Sequence, residues 1–130
     1  MNPSYLAGFF DGEGCVKSFI VSTHPQIMLE IAQKDPSILY HIQEYLGYGK
    51  VQVIHSRGRE SHQLRIYGRD RVRQTIRLIY PHSIIKKQQL ELGYRLAGLI
   101  EGPGERVSKT KARQRMDLHH ALREAKRGRV

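Results

Sequence analysis

The residues best suited to chemistry lie near the start of the chain, in Leu6-Ala7-Gly8-Phe9-Phe10-Asp11-Gly12-Glu13-Gly14. Two carboxylates, Asp11 and Glu13, close a run in which Ala7, Gly8 and Gly12 carry almost no side-chain bulk. Gly8 and Gly12 are four apart, so on a helix they share one face. A second helix can approach such a face closely. If two copies of the segment pair this way, their C-terminal ends lie side by side and each Glu13 projects toward a common point. Two carboxylates brought together repel one another unless a hard cation lies between them.

The elements around this segment follow from spacing. Asn2-Pro3-Ser4 supplies a capping residue and a proline that the first turn tolerates, so a helix is expected through Phe10, ended by the Gly12–Gly14 pair. Two β-rich runs follow, Val16 to Thr23 and Gln26 to Gln33, with His24-Pro25 as the turn. Ile27, Leu29 and Ile31 alternate with Gln26, Met28 and Glu30, which gives one buried and one available face. Asp35-Pro36 opens a helix carrying Ile38, Leu39, Ile42, Tyr45 and Leu46, and Gly47 and Gly49 stop it. A second hairpin sets Val51 and Val53 against Leu64 and Ile66 around Arg57-Gly58-Arg59. A helix from Asp70 puts Val72, Ile76 and Ile79 on one stripe until Pro81. Ile85, Leu92, Leu96 and Leu99 mark another, ended by Gly102-Pro103-Gly104. Ser108 can cap a last basic helix with Leu118, Leu122 and Ala125 inward. The plan is α+β, with helices on one face of a four-stranded antiparallel sheet. One domain is expected over residues 1–130, with a core over 1–101 and a basic helical extension over 102–130.

Charge says what the free sheet face meets. The 130 residues carry 22 Lys and Arg against 12 Asp and Glu, a net +10. It is unevenly spread: −3 over residues 1–49, +6 over 50–77, +1 over 78–101 and +6 over 102–130. An acidic start inside a basic protein suits a cation site beside a polyanion track, and nucleic acid is the commonest polyanion. An anionic membrane surface is the rival, but no stretch approaches ~18 uninterrupted apolar residues. Met1 to Ser4 lacks a basic region leading into an apolar one, so no secretory signal is expected. The single cysteine, Cys15, makes neither an internal disulfide nor a zinc cluster. A cytoplasmic or organellar interior fits. The free face is expected to carry Lys17, Thr23, Gln26, Glu30, Lys50, Gln52, Gln63, Arg65 and Tyr67, with Arg57 and Arg59 at the second turn. These long donors and acceptors on alternate positions suit the edges of bases in a major groove of double-stranded DNA.

Leu6 to Gly14 resembles the LAGLIDADG motif of the homing endonucleases. The helix–hairpin–helix–hairpin order that follows is also similar to that family's, so the resemblance covers about residues 1–101. It implies the αββαββα fold, with the sheet as a DNA-binding saddle. It implies a single-motif homodimer that hydrolyses phosphodiesters across the minor groove of a long pseudo-palindromic site, leaving short 3′ overhangs. It implies Mg²⁺ as cofactor, with Mn²⁺ or Ca²⁺ able to occupy the site and Ca²⁺ without cleavage. Glu13 matches the motif's second acid, the shared metal ligand, and Gly12 can offer a backbone carbonyl. Asp11 matches the first acid, structural near the helix end, and Phe9 and Phe10 match the core-facing apolar pair. Glu stands where Asp is usual, and reaches one methylene further. Gln33 stands where the family places a polar residue that orders water. Lys86 matches its basic segment, where a lysine stabilises charge or polarises water, with Lys87 as the alternative. Glu13, Gln33 and Lys86 therefore form the implied catalytic set. At Ser37, where some relatives carry a basic residue, this chain has none. Tyr5, Ala7, Gly8, Asp11 and Gly12 are expected at the dimer contact.

A second segment, Leu96 to Gly104, also resembles the motif, but Pro103 stands at the metal-ligand position. Only 26 residues follow Gly104, too few for two more hairpins with helices. It reads as a core helix with a glycine-rich stop. One motif per chain then requires a symmetric dimer. His119-His120 reads as a pair of surface helix residues, and Lys109 and Lys111, beside Ser108 and Thr110, as phosphate contacts. Three alternatives remain open: an RNA maturase that binds its host intron, an inactive DNA-binding regulator on the same scaffold, and a basic RNA-binding structural protein.

Overall fold

The computed structural model describes residues 1–102 and 106–127. Helix α1 spans Pro3–Glu13 and leads directly into strand β1, Gly14–Val21. Strand β2, His24–Gln33, returns, followed by α2, Ser37–Leu46. Strands β3, Lys50–Ser56, and β4, Arg59–Tyr67, form the second hairpin. Helix α3, Arg69–Ile79, ends in a short 3₁₀ turn at Tyr80–His82. Helices α4, Lys87–Leu99, and α5, Lys109–Arg127, complete the order. The sheet is fully antiparallel in the order β1-β2-β4-β3.

Local chemistry sets most of these boundaries. The Asn2 side chain accepts from Tyr5 N at 2.8 Å and caps α1, with Pro3 in its first turn. Asp35 Oδ1 accepts from Ser37 N at 2.9 Å, and Gly47, with φ +80°, ends α2 in the left-handed region. The hairpin turns fall at Ser22-Thr23, φ +48° and +68°, and at Arg57-Gly58, φ +51° and +74°. Such two-residue turns with positive φ match the twist of the strands they join. The first turn is therefore not at His24-Pro25. Those residues lie in β2, where Val21 pairs His24 and Ile20 pairs Pro25. Pairing of β2 with β4 covers only Met28–Gln33, so Pro25 costs no ladder bond on that side.

The core lies between the sheet and the helices. Val16, Ile27, Leu29, Ile31, Leu64 and Ile66 project from one face onto Leu6, Phe10, Leu39, Ile42, Ile76 and Leu90. Gly93 lets α4 cross β1, because a Cβ there would sit 2.7 Å from Val16 Cγ1. Ile85, expected on the fourth helix, precedes it and is exposed, as is Ile84. Helix α5 packs on α4 and along β1 and β2. Its contacts step down the hairpin: Arg115 Nη2 donates to Pro25 O at 2.9 Å, His119 Nδ1 lies 2.6 Å from Ser18 Oγ, and Lys126 Nζ lies 3.1 Å from Cys15 Sγ. Ser108 caps its start, accepting from Lys111 N at 3.1 Å. Pro103 and Gly104 of the second motif-like segment lie outside the described residues, and α4 stops before Glu101. Among the described residues, no helix is long and apolar enough to cross a membrane.

Candidate active site and nucleic-acid interface

Helix α1 separates its two acids. Residues two apart on a helix lie about 200° apart round its axis. Asp11 therefore points into the protomer when Glu13, the last helical residue, points out. Asp11 is buried and meets a turn 72 residues later in sequence: it accepts from Ser83 Oγ at 2.6 Å, Ile84 N at 2.7 Å, Ile85 N at 3.1 Å and Lys86 N at 3.2 Å. Burial pushes its carboxyl up, but the Ser83 hydroxyl and the three amides outweigh this and hold it below its ordinary value. Glu13 is exposed at the point where α1 becomes β1.

The Asp11 clamp also positions Lys86. That side chain is buried, and its Nζ donates to Phe10 O at 3.2 Å and Asp11 O at 2.7 Å. A cation is thereby placed at the negative end of the α1 dipole, beside Gly12 and Glu13. Lys87 is exposed, with Nζ 5.3 Å from the centre of the Tyr80 ring. Gly14 permits this junction, because a Cβ there would lie 2.2 Å from Phe10 Cδ2. Gln33 ends β2 two residues beyond Ile31, the partner of Gly14, and so lies at the same end of the sheet as Glu13.

The outer face of α1 is nearly bare. A Cβ on Gly8 or Gly12 would meet nothing within 4 Å. Tyr5 is exposed, stacked with Phe9 at 6.5 Å between ring centres. Ala7 and Asp11 do not share this face. Ala7 is fully buried and Asp11 is held by the 83–86 turn, so neither side chain can form the dimer contact expected of it. Ile84, which the sequence pattern did not single out, and Ile85, expected on a helical stripe, are 85 % and 62 % exposed, and the Asp11 clamp fixes both beside the end of α1. Their signal was an adjacent apolar pair between Pro81 and the start of α4, where the two side chains cannot both lie on one helical stripe.

A cation needs more ligands than one protomer supplies here. Among the described residues, no three His, Cys, Asp or Glu side chains stand together. One copy brings a single outward carboxylate and helix-end carbonyls, including that of Gly12. These hard oxygen donors fit Mg²⁺ or Ca²⁺, and two copies would double the set.

The register places the open face of the sheet. Cross-strand rows run Cys15–Glu30–Arg65–Lys50, then Lys17–Met28–Tyr67, with Gln63–Gln52 on the other side and Phe19–Gln26 further out. Lys17, Gln26, Glu30, Lys50, Gln52, Gln63, Arg65 and Tyr67 thus share one face. Thr23 is the exception, since it lies in the first turn at the hairpin tip. Arg57 and Arg59, with Lys34, line a cleft of about 990 Å³ at the second tip. Lys111 pairs with Glu101 at the surface, whereas Lys109 is exposed. His119 is buried against Ser18 and is not a surface residue. Burial, then repulsion from His120 and Arg123, holds its imidazole below the ordinary value. Arg123, Lys126 and Arg127 flank Lys17 in a groove of about 350 Å³ along β1.

A four-stranded antiparallel sheet with a motif helix delivering an acid at one end defines the α+β class to which the comparisons with known proteins apply. The family model for the LAGLIDADG endonuclease matches residues 6–91, and the chain belongs to that family. Among solved structures, it is similar to the LAGLIDADG meganuclease I-AabMI bound to uncleaved DNA, at 28% identity and a TM-score of 0.79. That match covers 94% of this chain and 45% of that one, so the chain spans under half of I-AabMI. It also matches the homing endonuclease I-CvuI in complex with its target in the presence of Ca (21% identity, TM-score 0.80, 95% of this chain and 80% of that one). The homing endonuclease I-TnaI matches over 100% of this chain and 99% of that one, at 21% identity and a TM-score of 0.77. No curated protein matches by sequence.

Proposed function

We propose that the protein is a homodimeric, divalent-metal-dependent endonuclease that cuts both strands of a long pseudo-palindromic DNA site. The observation that carries this is the contrast within α1: Glu13 is exposed at the end of a helix whose glycine face packs against none of the described residues. Glycine inside a helix costs about 1 kcal/mol relative to alanine, and two such positions left bare suit a second helix. Tyr5, Gly8 and Gly12 form the contact, and Ile84 and Ile85 extend it with exposed apolar surface. The two-fold relation brings both Glu13 carboxylates together and repeats the sheet surface on two half-sites.

Mg²⁺ held by the two carboxylates and the Gly12 carbonyls would supply activated water and charge neutralisation at the leaving 3′ oxygen. Mn²⁺ can serve the same donors, and Ca²⁺ binds there without supporting cleavage. The chain does the rest. Gln33 offers hydrogen bonds that orient water at the same end of the sheet. Lys86 keeps a positive charge beside the reacting phosphate and fixes the end of α1, and its place there favours it over Lys87. The open sheet face sets the register in the major groove, so that cleavage falls across the intervening minor groove and leaves short 3′ overhangs. Lys109 and the basic side of α5 supply phosphate contacts, and residues 1–130 act as one unit in a cellular interior.

The test is digestion, with Mg²⁺, of DNA carrying the insertion site of the intron that encodes the protein, by wild type and by Glu13→Gln. Site-specific cutting by the wild type alone supports the proposal. Tight intron RNA binding with no cutting by either protein would replace it with the maturase reading.

A further inference from the structure

Four side chains on the open sheet face are already joined before any DNA arrives. Arg65 Nε donates to Gln63 Oε1 at 2.9 Å and lies 3.2 Å from Glu30 Oε2. Gln63 Nε2 donates to Glu30 Oε1 at 3.2 Å, which closes the group. Arg65 Nη1 donates to the Tyr67 hydroxyl at 3.3 Å. All four residues lie on the two central strands, and Arg65 pairs directly with both Glu30 and Lys50. The Glu30 and Arg65 side chains are only 13 % and 25 % exposed.

We infer that Arg65 reads a guanine in each half-site and that Glu30 is its positioning residue. This rests on the DNA-cutting reading above. The Nε side of the guanidinium is held by Gln63 and Glu30, and one Nη1 hydrogen by Tyr67. The remaining hydrogens of Nη1 and Nη2 form an end-on fork. Such a fork matches O6 and N7 of guanine in the major groove, whereas adenine sets its N6 amino group against one donor. A phosphate is the poorer occupant. Glu30 largely cancels the charge of Arg65 and repels a phosphate at the same distance, but it leaves the directional fork intact. In this arrangement Glu30, expected from the sequence as a DNA contact, acts through Arg65. It removes the non-specific pull of Arg65 and leaves its geometric selectivity.

The experiment is equilibrium binding to DNA with randomised half-sites, in Ca²⁺, followed by sequencing of the retained pool. Wild type, Arg65→Ala and Glu30→Gln are compared, with thermal melting to confirm that all three fold. The expected wild-type result is a guanine at one position in each half-site, symmetric about the centre, preferred roughly ten- to hundredfold over adenine. Arg65→Ala abolishes that preference and leaves unchanged the positions read from outside the Glu30–Gln63–Arg65–Tyr67 group. Glu30→Gln reduces it severalfold, keeps or raises total affinity, and steepens the salt dependence, because a negative charge has left the interface. A wild-type preference unaltered in Arg65→Ala overturns the assignment of the reader. An unaltered preference in Glu30→Gln overturns the positioning role. A wild type that retains no DNA removes the endonuclease reading and this inference together, whereas retention without a guanine tied to Arg65 removes this inference alone.

Discussion

Asp11 and Glu13 are two carboxylates two residues apart on one helix, and the fold treats them oppositely. Asp11 is turned inward and accepts four hydrogen bonds from residues 83–86. Glu13 is turned outward at the helix end, where the described residues offer no matching cluster of ligands. The difference shows that the motif carries two separate jobs. Its first acid ties the start of the chain to a turn far along it, and thereby sets Lys86 and the Ile84-Ile85 pair. Its second acid stands exposed, where the proposed dimer would use it. Each carboxylate can be removed independently, and the two losses should look nothing alike.

The largest effect is expected from Glu13→Gln. Losing a metal ligand removes several kcal/mol of transition-state stabilisation, so cleavage should fall by about a thousandfold or more in a single-turnover assay. Its unfolding free energy in urea should stay within about 0.5 kcal/mol of wild type, as for other exposed substitutions. Asp11→Ala should do the reverse at the level of folding. It leaves the Ser83 hydroxyl and three amides without their acceptor and should cost about 3–5 kcal/mol in urea unfolding. A stable Asp11→Ala protein would undo the assignment of Asp11 to the clamp.

Two glycines sharpen the contrast further. Gly14→Ala forces a Cβ into the Phe10 ring and should destabilise by about 1–3 kcal/mol. Gly12→Ala meets nothing in the protomer and should leave its folding unchanged or improve it by up to about 1 kcal/mol. The same substitution should weaken dimerisation, read by sedimentation equilibrium. The smallest effects follow pH. Asp11 is held below its ordinary value of 3.8, so its clamp contributes above that range and is lost as pH falls through and below it. The lowered His119 imidazole favours folding while neutral, above its unfolded value near 6.5, and that contribution declines as pH falls toward the folded value. Melting temperature against pH should therefore decline in two stages, and Ser18→Ala with His119→Gln should remove the upper one.

Much of the fold was legible because its signals are local. Asn2, Asp35 and Gly47 mark helix ends through their own hydrogen bonds or φ, and the alternation along Gln26–Gln33 gave the core face, although Met28 on the opposite face is buried as well. What failed depends on distant partners. Ala7 and Gly8 are both small, so size alone could not say which faced outward; the 83–86 turn decides it by capturing Asp11. His119 looked like a surface residue until Ser18, on a strand 101 residues away, was found against it. Arg115 is fully buried, with Nη2 donating to the Pro25 carbonyl 90 residues earlier. The first turn was displaced because Ser22 and Thr23 adopt positive φ without glycine, which composition does not announce. Of the candidate site, Glu13 and its helix could be read directly. The burial of Lys86 and the Glu30–Arg65 link could not, because both are made by tertiary contacts.

The shared site is tested most directly by a mixed dimer, with one wild-type subunit and one Glu13→Gln subunit purified by two different tags. Its action on a supercoiled plasmid bearing the target is followed in Mg²⁺. If both carboxylates serve one metal cluster, neither strand is cut at an appreciable rate and the plasmid stays supercoiled. Accumulation of singly nicked circles at the wild-type rate would show that each Glu13 works alone, and would contradict the account.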